Sequence, residues 1–428
     1  MNTPARVASF STANPHALAT ILEASETKHI IASHDIFDMT GIKLWARNQP
    51  VSQELQRKLL DRQLRQPLES CLMVEDGVTP HSLVQSLKTL LTQDTPLTTL
   101  LLRHSEKLVR EAAHIPLHSV AQLLLTAAQA SRPATYEHAV QAMALNGALM
   151  LEHGGSVHDL RLAMLCGLLH DLGEMYIAPQ FNEADADRAL DFQSYLQLVV
   201  HPHIGYLLIT QLTNYPPIVA RAVAEHHEHL DGSGYPHALQ RGQISPQGML
   251  LAVTEAALNV LRGEQPHLAR ASVALRVVPG EFDLQWVGLI SKAVRTQEAL
   301  STASSDEQIR LNLAKLDQAM LTAQDHASAL LTIAESPALK DALGLAQHLL
   351  NRLRLGWNAS GLWSKEAVDH HDAGELEAIE NELQFRLRAI QRAIMLRAGN
   401  LQPNDMHRLR LLCENLSDEQ PIQRLAQA

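Results

Sequence analysis

From about Pro80 almost to the C-terminus, leucine and alanine recur at helical spacing, and this pattern narrows the folds open to the chain. "HSLVQSLKTLLTQ", "LTTLLLRHSEKLVREAA" and "SVAQLLLTAAQA" each carry one apolar face, with polar breaks between them. Aromatic residues make up only 4% of the 428, while leucine, alanine and glutamine abound, a composition that favours helix. A chain of this length suits roughly two to four domains rather than one core.

Residues 1–80 break the pattern. "KHIIASHDIFDMTGIKLWA" places two short apolar runs around Met39-Thr40-Gly41, a hairpin turn, and "SQELQRKLLDRQL" starts a helix near Ser52. We read a small mixed α/β module there, followed by a helical connector over 81–129. In "SRPATYEHAVQAMALNGALMLEHGG", Pro133 suits a first helical turn and Gly154-Gly155 a helix end. This opens a unit over 130–300 that holds all the unusual chemistry. "STASSDEQ", at 301–308, is a polar linker and helix start. The stretches after it, such as "ALGLAQHLLNRLRLGW", predict a C-terminal helical bundle over 301–428.

Several function classes fall away. The net charge is -11 with histidines neutral, and lysine and arginine are not clustered, so no DNA surface is expected. No run of 18 apolar residues occurs, and the N-terminus lacks a charged segment followed by an apolar one, so neither a membrane span nor a leader is expected. Cys71, Cys166 and Cys413 lie far apart, which is no disulfide framework and points to a reducing cytoplasm.

Histidine is the unusual count, 23 in all. Four His-Asp pairs occur. His34-Asp35 sits in the N-terminal module, Asp159 of His158-Asp159 reads as a first-turn acid, and His371-Asp372 lies in a polar run. Only His170-Asp171 ends an apolar run, "RLAMLCGLLHDLGEMYI", where polar groups must be satisfied by hydrogen bonds or a metal. His138, His201, His226-His227 and Glu255 flank that pair at intervals of about one helix plus one connection. Packed helices would bring one such group each to a shared centre. Five imidazoles and two carboxylates exceed the four ligands of one zinc. They suit two divalent cations roughly 3.5–4 Å apart, bridged by Asp171 and a hydroxide. Mixed imidazole and carboxylate ligation points to iron or manganese, with zinc or nickel also admissible. Adjacent residues on a helix diverge by about 100°, so His226 and His227 either serve different cations or leave His226 at the rim while His227 ligates.

Over roughly residues 130–275 these motifs resemble the HD-GYP family of metal-dependent phosphodiesterases. "HDLGEMYIAP" is similar to the family's His-Asp motif, "HPHIG" to its next histidine, "HHEHLDGSGYP" to its naming motif and "ISPQGMLLAVTEAA" to the helix that follows. Residues 28–70 resemble, more weakly, a small module found before some HD-GYP domains. The resemblance implies a mainly α fold: an HD-type helical bundle with a small N-terminal α/β module and a C-terminal helical region. It implies metal ligation by His138, His170, Asp171, His201, His226, His227 and Glu255, with His170 and Asp171 catalytic. It implies hydrolysis of a cyclic dinucleotide, cyclic di-GMP first, in the cytoplasm. Gly232 and Gly234 permit positive φ and Pro236 fixes the exit of the turn, so Asp231, Gly232, Gly234 and Tyr235-Pro236 are expected to border the pocket with Glu174. Asp231 also reads as a turn-forming acid, His203 as structural, and His229 and His237 as rim or surface residues.

The chain departs from the family pattern at several positions. Glu174 stands where the family has lysine, reversing the sign at a substrate-facing position unless the charge is simply solvated. Glu255 replaces an aspartate, and Arg262 or Arg270 is left to stand in for a basic stretch after that helix. Ala134 replaces an occasional third-metal glutamate. These losses leave open an alternative: a metal-holding signalling scaffold whose flanking helices bind a protein partner or a second copy.

Overall fold

The alternating runs near the N-terminus form two short antiparallel ribbons in the computed structural model, which describes residues 10–181, 192–263, 265–294, 300, 305–360, 373–398, 401–414 and 416. Two compact units emerge. The first comprises Met1–His227 and Gly242–Leu258, and the second Glu228–Arg241 and Asn259–Ala428. Among the described residues, no helix is long and apolar enough to cross a membrane.

The first unit opens with helix α1 (Pro15–Ala24), capped by the Asn14 side chain. Strand β1 (Ile30–Ala32) pairs with β4 (Leu72–Val74), and β2 (Ile36–Phe37) with β3 (Lys43–Trp45). The β2–β3 turn is the one expected at Met39-Thr40-Gly41. Gly41 takes φ +93°, a conformation that costs a glycine little, and Asp38 accepts bonds from the Thr40 and Ile42 amides. Helix α2 (Gln53–Leu59) follows Ser52.

Helices α3 (Pro80–Leu91), α4 (Pro96–Leu101), α5 (Ser105–Ala112) and α6 (Ser119–Ser131) lead to α7 (Pro133–His153). Pro133 opens α7 and Gly154, at φ 84°, closes it. Nearly every residue from Thr135 to Met150 is buried, so α7 is a core helix rather than an amphipathic one. It packs on α6 and on α8 (Val157–Leu169). Ser156 and Asp159 form the capping box of α8, which accounts for the His158-Asp159 pair. Helices α9 (Phe192–Leu198), α10 (His201–Leu212), α11 (Pro217–Glu225) and α12 (Pro246–Leu261) follow, with α10 packed on α11 and α11 on α8. One buried amide sets the rotation of three of these helices. Asn146 of α7 donates to the Ala163 carbonyl of α8 at 3.1 Å and accepts from the Thr254 hydroxyl of α12.

In the second unit, α13 (Leu268–Ala274), α14 (Leu284–Val294), α15 (Asp306–Ile333), α16 (Pro337–Ser360), α17 (Ala373–Leu396) and α18 (Pro403–Glu414) form a helical bundle. Ile309, Leu313, Leu316 and Met320 line one stripe of α15, facing the leucine rows of α16 and α17. Ser305 caps α15. His371-Asp372 and Ser301–Ser304 lie outside the described residues. Arg270, weighed as a substrate-facing cation, is paired with Glu377 at 3.1 Å.

The turn after the paired histidines belongs to this unit. Asp231 accepts from the Ser233 amide and hydroxyl at 3.0 and 2.7 Å, so it is a turn-forming acid. Gly232 takes φ +82°, as expected, but Gly234 does not have positive φ; Ala238 does, at 52°. The Tyr235–Pro236 peptide is cis. Ser233, Gly234, Tyr235 and Pro236 are half-buried and His237 is exposed. His229 is not simply a surface residue, because its Nδ1 lies 3.0 Å from Glu281, which also pairs with Arg386 at 2.7 Å.

Replacing Asn146 with alanine should leave buried polar groups of α8 and α12 without a partner. The expected loss is about 1–3 kcal/mol, read as a lower urea midpoint for the first unfolding transition, with far-UV circular dichroism retained.

Candidate metal centre

Five helices of the first unit deliver seven side chains to one buried point. His138 comes from the second turn of α7 and Glu255 from the middle of α12. The other five sit at helix ends: His170 caps α8 and Asp171 follows it, His201 is the first residue of α10, and His226 and His227 follow α11. All seven are buried, from 0% exposed for His170 and His201 to 9% for His227.

The geometry divides around Asp171. Its Oδ2 lies 3.2 Å from His138 Nε2 and 3.1 Å from His170 Nε2. Its Oδ1 lies 3.4 Å from His201 Nε2 and 3.3 Å from His226 Nε2. Glu255 Oε2 closes the first group, 3.0 Å from His138 and 3.2 Å from His170. His227 joins the second, its ring centroid 4.1 Å from that of His226. Potential ligand atoms of Asp171, His201, His226 and His227 lie within 4.8 Å of one another, as do those of His138, His170 and Asp171.

Three of the imidazoles have a fixed tautomer. His170, His201 and His226 place Nδ1 2.7, 2.8 and 2.6 Å from the carbonyls of Gly167, Leu198 and Val223. A carbonyl only accepts, so Nδ1 carries the hydrogen and the Nε2 lone pair points inward. His201 Nε2 and His226 Nε2 then face each other at 3.0 Å, and both face a carboxylate. Neither oxygen of Asp171 receives a hydrogen bond of good geometry from a described residue. A buried convergence of acceptors is unfavourable unless positive charge lies among them. The donor set, imidazole and carboxylate without thiolate, fits divalent cations.

Without a cation, protons supply that charge. Burial alone would lower His138, but the carboxylates of Glu255 and Asp171 outweigh it and raise its pKa to about 8. His170 is raised well above the ordinary imidazole range: burial lowers it, and Asp171 and Glu255 more than reverse that. Burial would raise Asp171 and Glu255, yet the imidazoles of His170 and His138, respectively foremost, hold both carboxyls well below their usual range. His226 is lowered to about 3 by burial and by the adjacent His227, so it stays a neutral lone-pair donor.

The placement of His226 at the rim, one of the two arrangements weighed for the adjacent pair, does not occur. His226 is 1% exposed, deeper than His227. The helix ends at Glu225, so the 100° divergence of helical neighbours does not constrain them. Glu174 is neither a rim residue nor a solvated charge: it is 0% exposed, in the 3-10 turn Leu172–Tyr176. Arg132 donates to its carbonyl at 2.9 Å, and the Glu174 carboxylate offsets the cost of burying that guanidinium. His203 is exposed and stacks on Tyr206. The other five residues expected at the rim, Asp231 to Pro236, belong to the second unit.

Sequence reasoning missed Glu225. This buried acid receives Arg221 Nε at 2.7 Å and the Ser245 amide at 2.7 Å, tying the end of α11 to the start of α12. It thereby fixes the point from which His226 and His227 project. The only signal was Arg221 four residues earlier, which reads as an ordinary surface pair.

Residues 135–259 match the HD domain family model. Over 198 residues the chain is 30% identical to a cyclic di-GMP phosphodiesterase of Pseudomonas aeruginosa, covering 45% of this chain and 47% of that protein. Over 196 residues it is 26% identical to a 3'3'-cGAMP-specific phosphodiesterase of Vibrio cholerae, covering 44% of each. The chain thus spans about half the length of the curated relatives it matches. An HDG"Y"P protein from Bdellovibrio bacteriovorus aligns with a TM-score of 0.36 and 15% identity, over 64% of this chain and 97% of that one. The match to the HD domain model lies within the stretch whose motifs resemble the HD-GYP phosphodiesterases, and both of these relatives are phosphodiesterases of cyclic dinucleotides.

A cation must displace the protons held by His138 and His170, because both carry raised pKa values. Binding of Mn2+ near pH 7 should release at least about one proton, and apparent affinity should fall as pH drops from about 8.5 to 6.5. Calorimetry in buffers of different ionisation enthalpy measures this; a heat independent of buffer would exclude displacement of protons from His138 and His170.

Proposed function

We propose that this chain is a phosphodiesterase dependent on two divalent metal ions, iron or manganese foremost, and that it hydrolyses a cyclic dinucleotide, with cyclic di-GMP the first candidate. The observation that carries the reading is the division of Asp171: each carboxylate oxygen faces its own group of imidazoles. His138, His170, Asp171 and Glu255 would hold one cation, and Asp171, His201, His226 and His227 the other. When bound, such cations lower the pKa of a shared water and stabilise charge on a phosphoryl group.

The chain's own residues have separable tasks. Asp171 couples the two groups and orients what lies between them. The carbonyls of Gly167, Leu198 and Val223 hold three imidazoles in the tautomer that offers Nε2. Burial excludes bulk water, which strengthens every charge interaction in the cluster. The relatives' substrates supply the class, cyclic dinucleotides: one is a cyclic di-GMP enzyme and the other a 3'3'-cGAMP enzyme. With a net charge of -11, attraction for such an anion must be local to the cations.

Protein purified anaerobically and loaded with Mn2+ or Fe2+ should convert cyclic di-GMP, and to a differing extent 3'3'-cGAMP, to linear product. Asp171→Asn should lower kcat by more than about a hundredfold, beyond the usual cost of changing an outer hydrogen bond. Stoichiometric metal with no turnover of either dinucleotide would overturn the enzyme reading in favour of a metal-holding scaffold.

Glu174→Lys, which restores the family's residue, should not raise kcat/KM. It sets a second buried cation beside Arg132, and the expected result is a fall in stability of about 3 kcal/mol or more, seen as a lower melting temperature. A gain in activity at unchanged stability would show that position 174 reaches substrate.

A further inference from the structure

We infer that Tyr176 is a positioning residue for Asp171, and that Glu69 of the N-terminal module holds it there, so that the module sets the geometry of the cation-binding cluster. The inference rests on the reading of that cluster as a metal site and adds a route by which a separate part of the chain controls it.

Asp171 is followed directly by the 3-10 turn Leu172–Tyr176, all five residues of which are buried. The far end of that turn is gripped by the N-terminal module. Tyr176 donates its hydroxyl to Glu69 Oε1 at 2.5 Å, and both residues are buried. Asn14 donates to the Tyr176 carbonyl at 3.2 Å, and the Phe10 ring meets the Tyr176 ring edge-on at 5.7 Å. Midway along the turn, Arg132 donates to the Glu174 carbonyl at 2.9 Å and, with its other Nη, to Thr20 of α1 at 2.8 Å. Glu69 itself lies in the 3-10 turn Leu68–Cys71, which runs straight into β4 and so into the β1–β4 ribbon. Asn14 caps α1, Thr20 lies within it and Glu69 precedes β4, so these three grips lead back to ordered elements of the module.

The turn has no slack to absorb a shift. At Gly173 an added Cβ would lie 2.0 Å from the His201 carbonyl oxygen, so the turn lies directly against the start of α10. A displacement at Tyr176 is passed to Asp171 at one end and to His201 alongside. Asp171 is shared by the two groups of candidate ligands, and His201 belongs to one of them. A buried carboxyl bonded to a buried phenol is a costly way to join two surfaces that leucine could join, but it fixes direction where apolar packing would not.

The test uses the full chain and Mn2+ alone, titrated against a chelator, with turnover of cyclic di-GMP measured alongside. Tyr176→Phe removes one hydroxyl and leaves the ring in place. It should keep its far-UV circular dichroism, lose Mn2+ affinity by about 10–100-fold, and lower kcat with KM nearly unchanged. Glu69→Gln keeps an acceptor for the phenol and should stay close to wild type. Asn14→Ala should move Mn2+ affinity in the same direction as Tyr176→Phe by a smaller factor, and it decides the matter if Tyr176→Phe does not fold. Wild-type Mn2+ affinity in Tyr176→Phe, with only a lower melting temperature, would reduce the bond to packing and overturn the inference. Wild-type protein that binds no Mn2+ would overturn the metal-site reading as well. Wild-type protein that binds Mn2+ without hydrolysing the dinucleotide removes only the proposed activity, and the affinities still judge Tyr176.

Discussion

The arrangement turns on a single carboxylate that no hydrogen bond among the described residues satisfies. Asp171 is 3% exposed, and four Nε2 atoms approach its two oxygens at 3.1–3.4 Å. Three of those nitrogens offer lone pairs, because their Nδ1 hydrogens are committed to backbone carbonyls. Lone pairs aimed at an anion in a low-dielectric core repel unless a positive charge is shared among them. Helices α7, α8, α10, α11 and α12 thus converge on a point that apolar side chains alone cannot fill. Asn146 and Thr254 fix how α7, α8 and α12 face it, and Glu225 fixes where α11 stops.

Helix ends solve a geometric problem at that point. Neighbours within a helix point about 100° apart, so two adjacent residues cannot normally serve one centre. His170 and Asp171 straddle the end of α8, and Asp171 sits at φ -98°, ψ 13°, which turns its side chain back beside that of His170. His226 and His227 lie just beyond α11, with ring centroids 4.1 Å apart. His201 begins α10, where its Nδ1 reaches back to the Leu198 carbonyl. The free carbonyls of a final helical turn are suited to this, since they need donors and the imidazoles supply them. One device satisfies a helix end and aims a ligand.

The helical frame was legible because its signals are local. Pro133 and Gly154 bound α7, and Ser156 with Asp159 caps α8, as capping and backbone preferences require. The histidines and acids of the cluster were legible because their residue types are improbable at the ends of apolar runs. The residues that hold them were not. Glu225, Tyr176 and Glu69 are ordinary types at ordinary spacings, and their role appears only when segments up to 107 residues apart meet. The bend after His227 was only partly legible for a related reason: both glycines permit positive φ, the turn takes it at Gly232 and Ala238, and sequence does not say which residues of a Gly-rich bend will bear it.

Position 174 shows what a motif can and cannot carry. The resemblance places a substrate-facing lysine there, so a glutamate reads as a charge reversal that repels an anion. The fold turns the side chain inward, to 0% exposure, near the guanidinium of Arg132. Its charge is then answered within the core and contributes little field at the mouth of a pocket, since a compensated buried pair is nearly neutral at a distance. The reversal therefore removes a cation from the clamp without adding a repulsive anion in its place. On the proposed reading, what would draw in a phosphodiester is the charge of cations held by the cluster, concentrated by burial, and its strength would depend on how firmly the turn from Asp171 to Tyr176 keeps the Asp171 carboxylate in place.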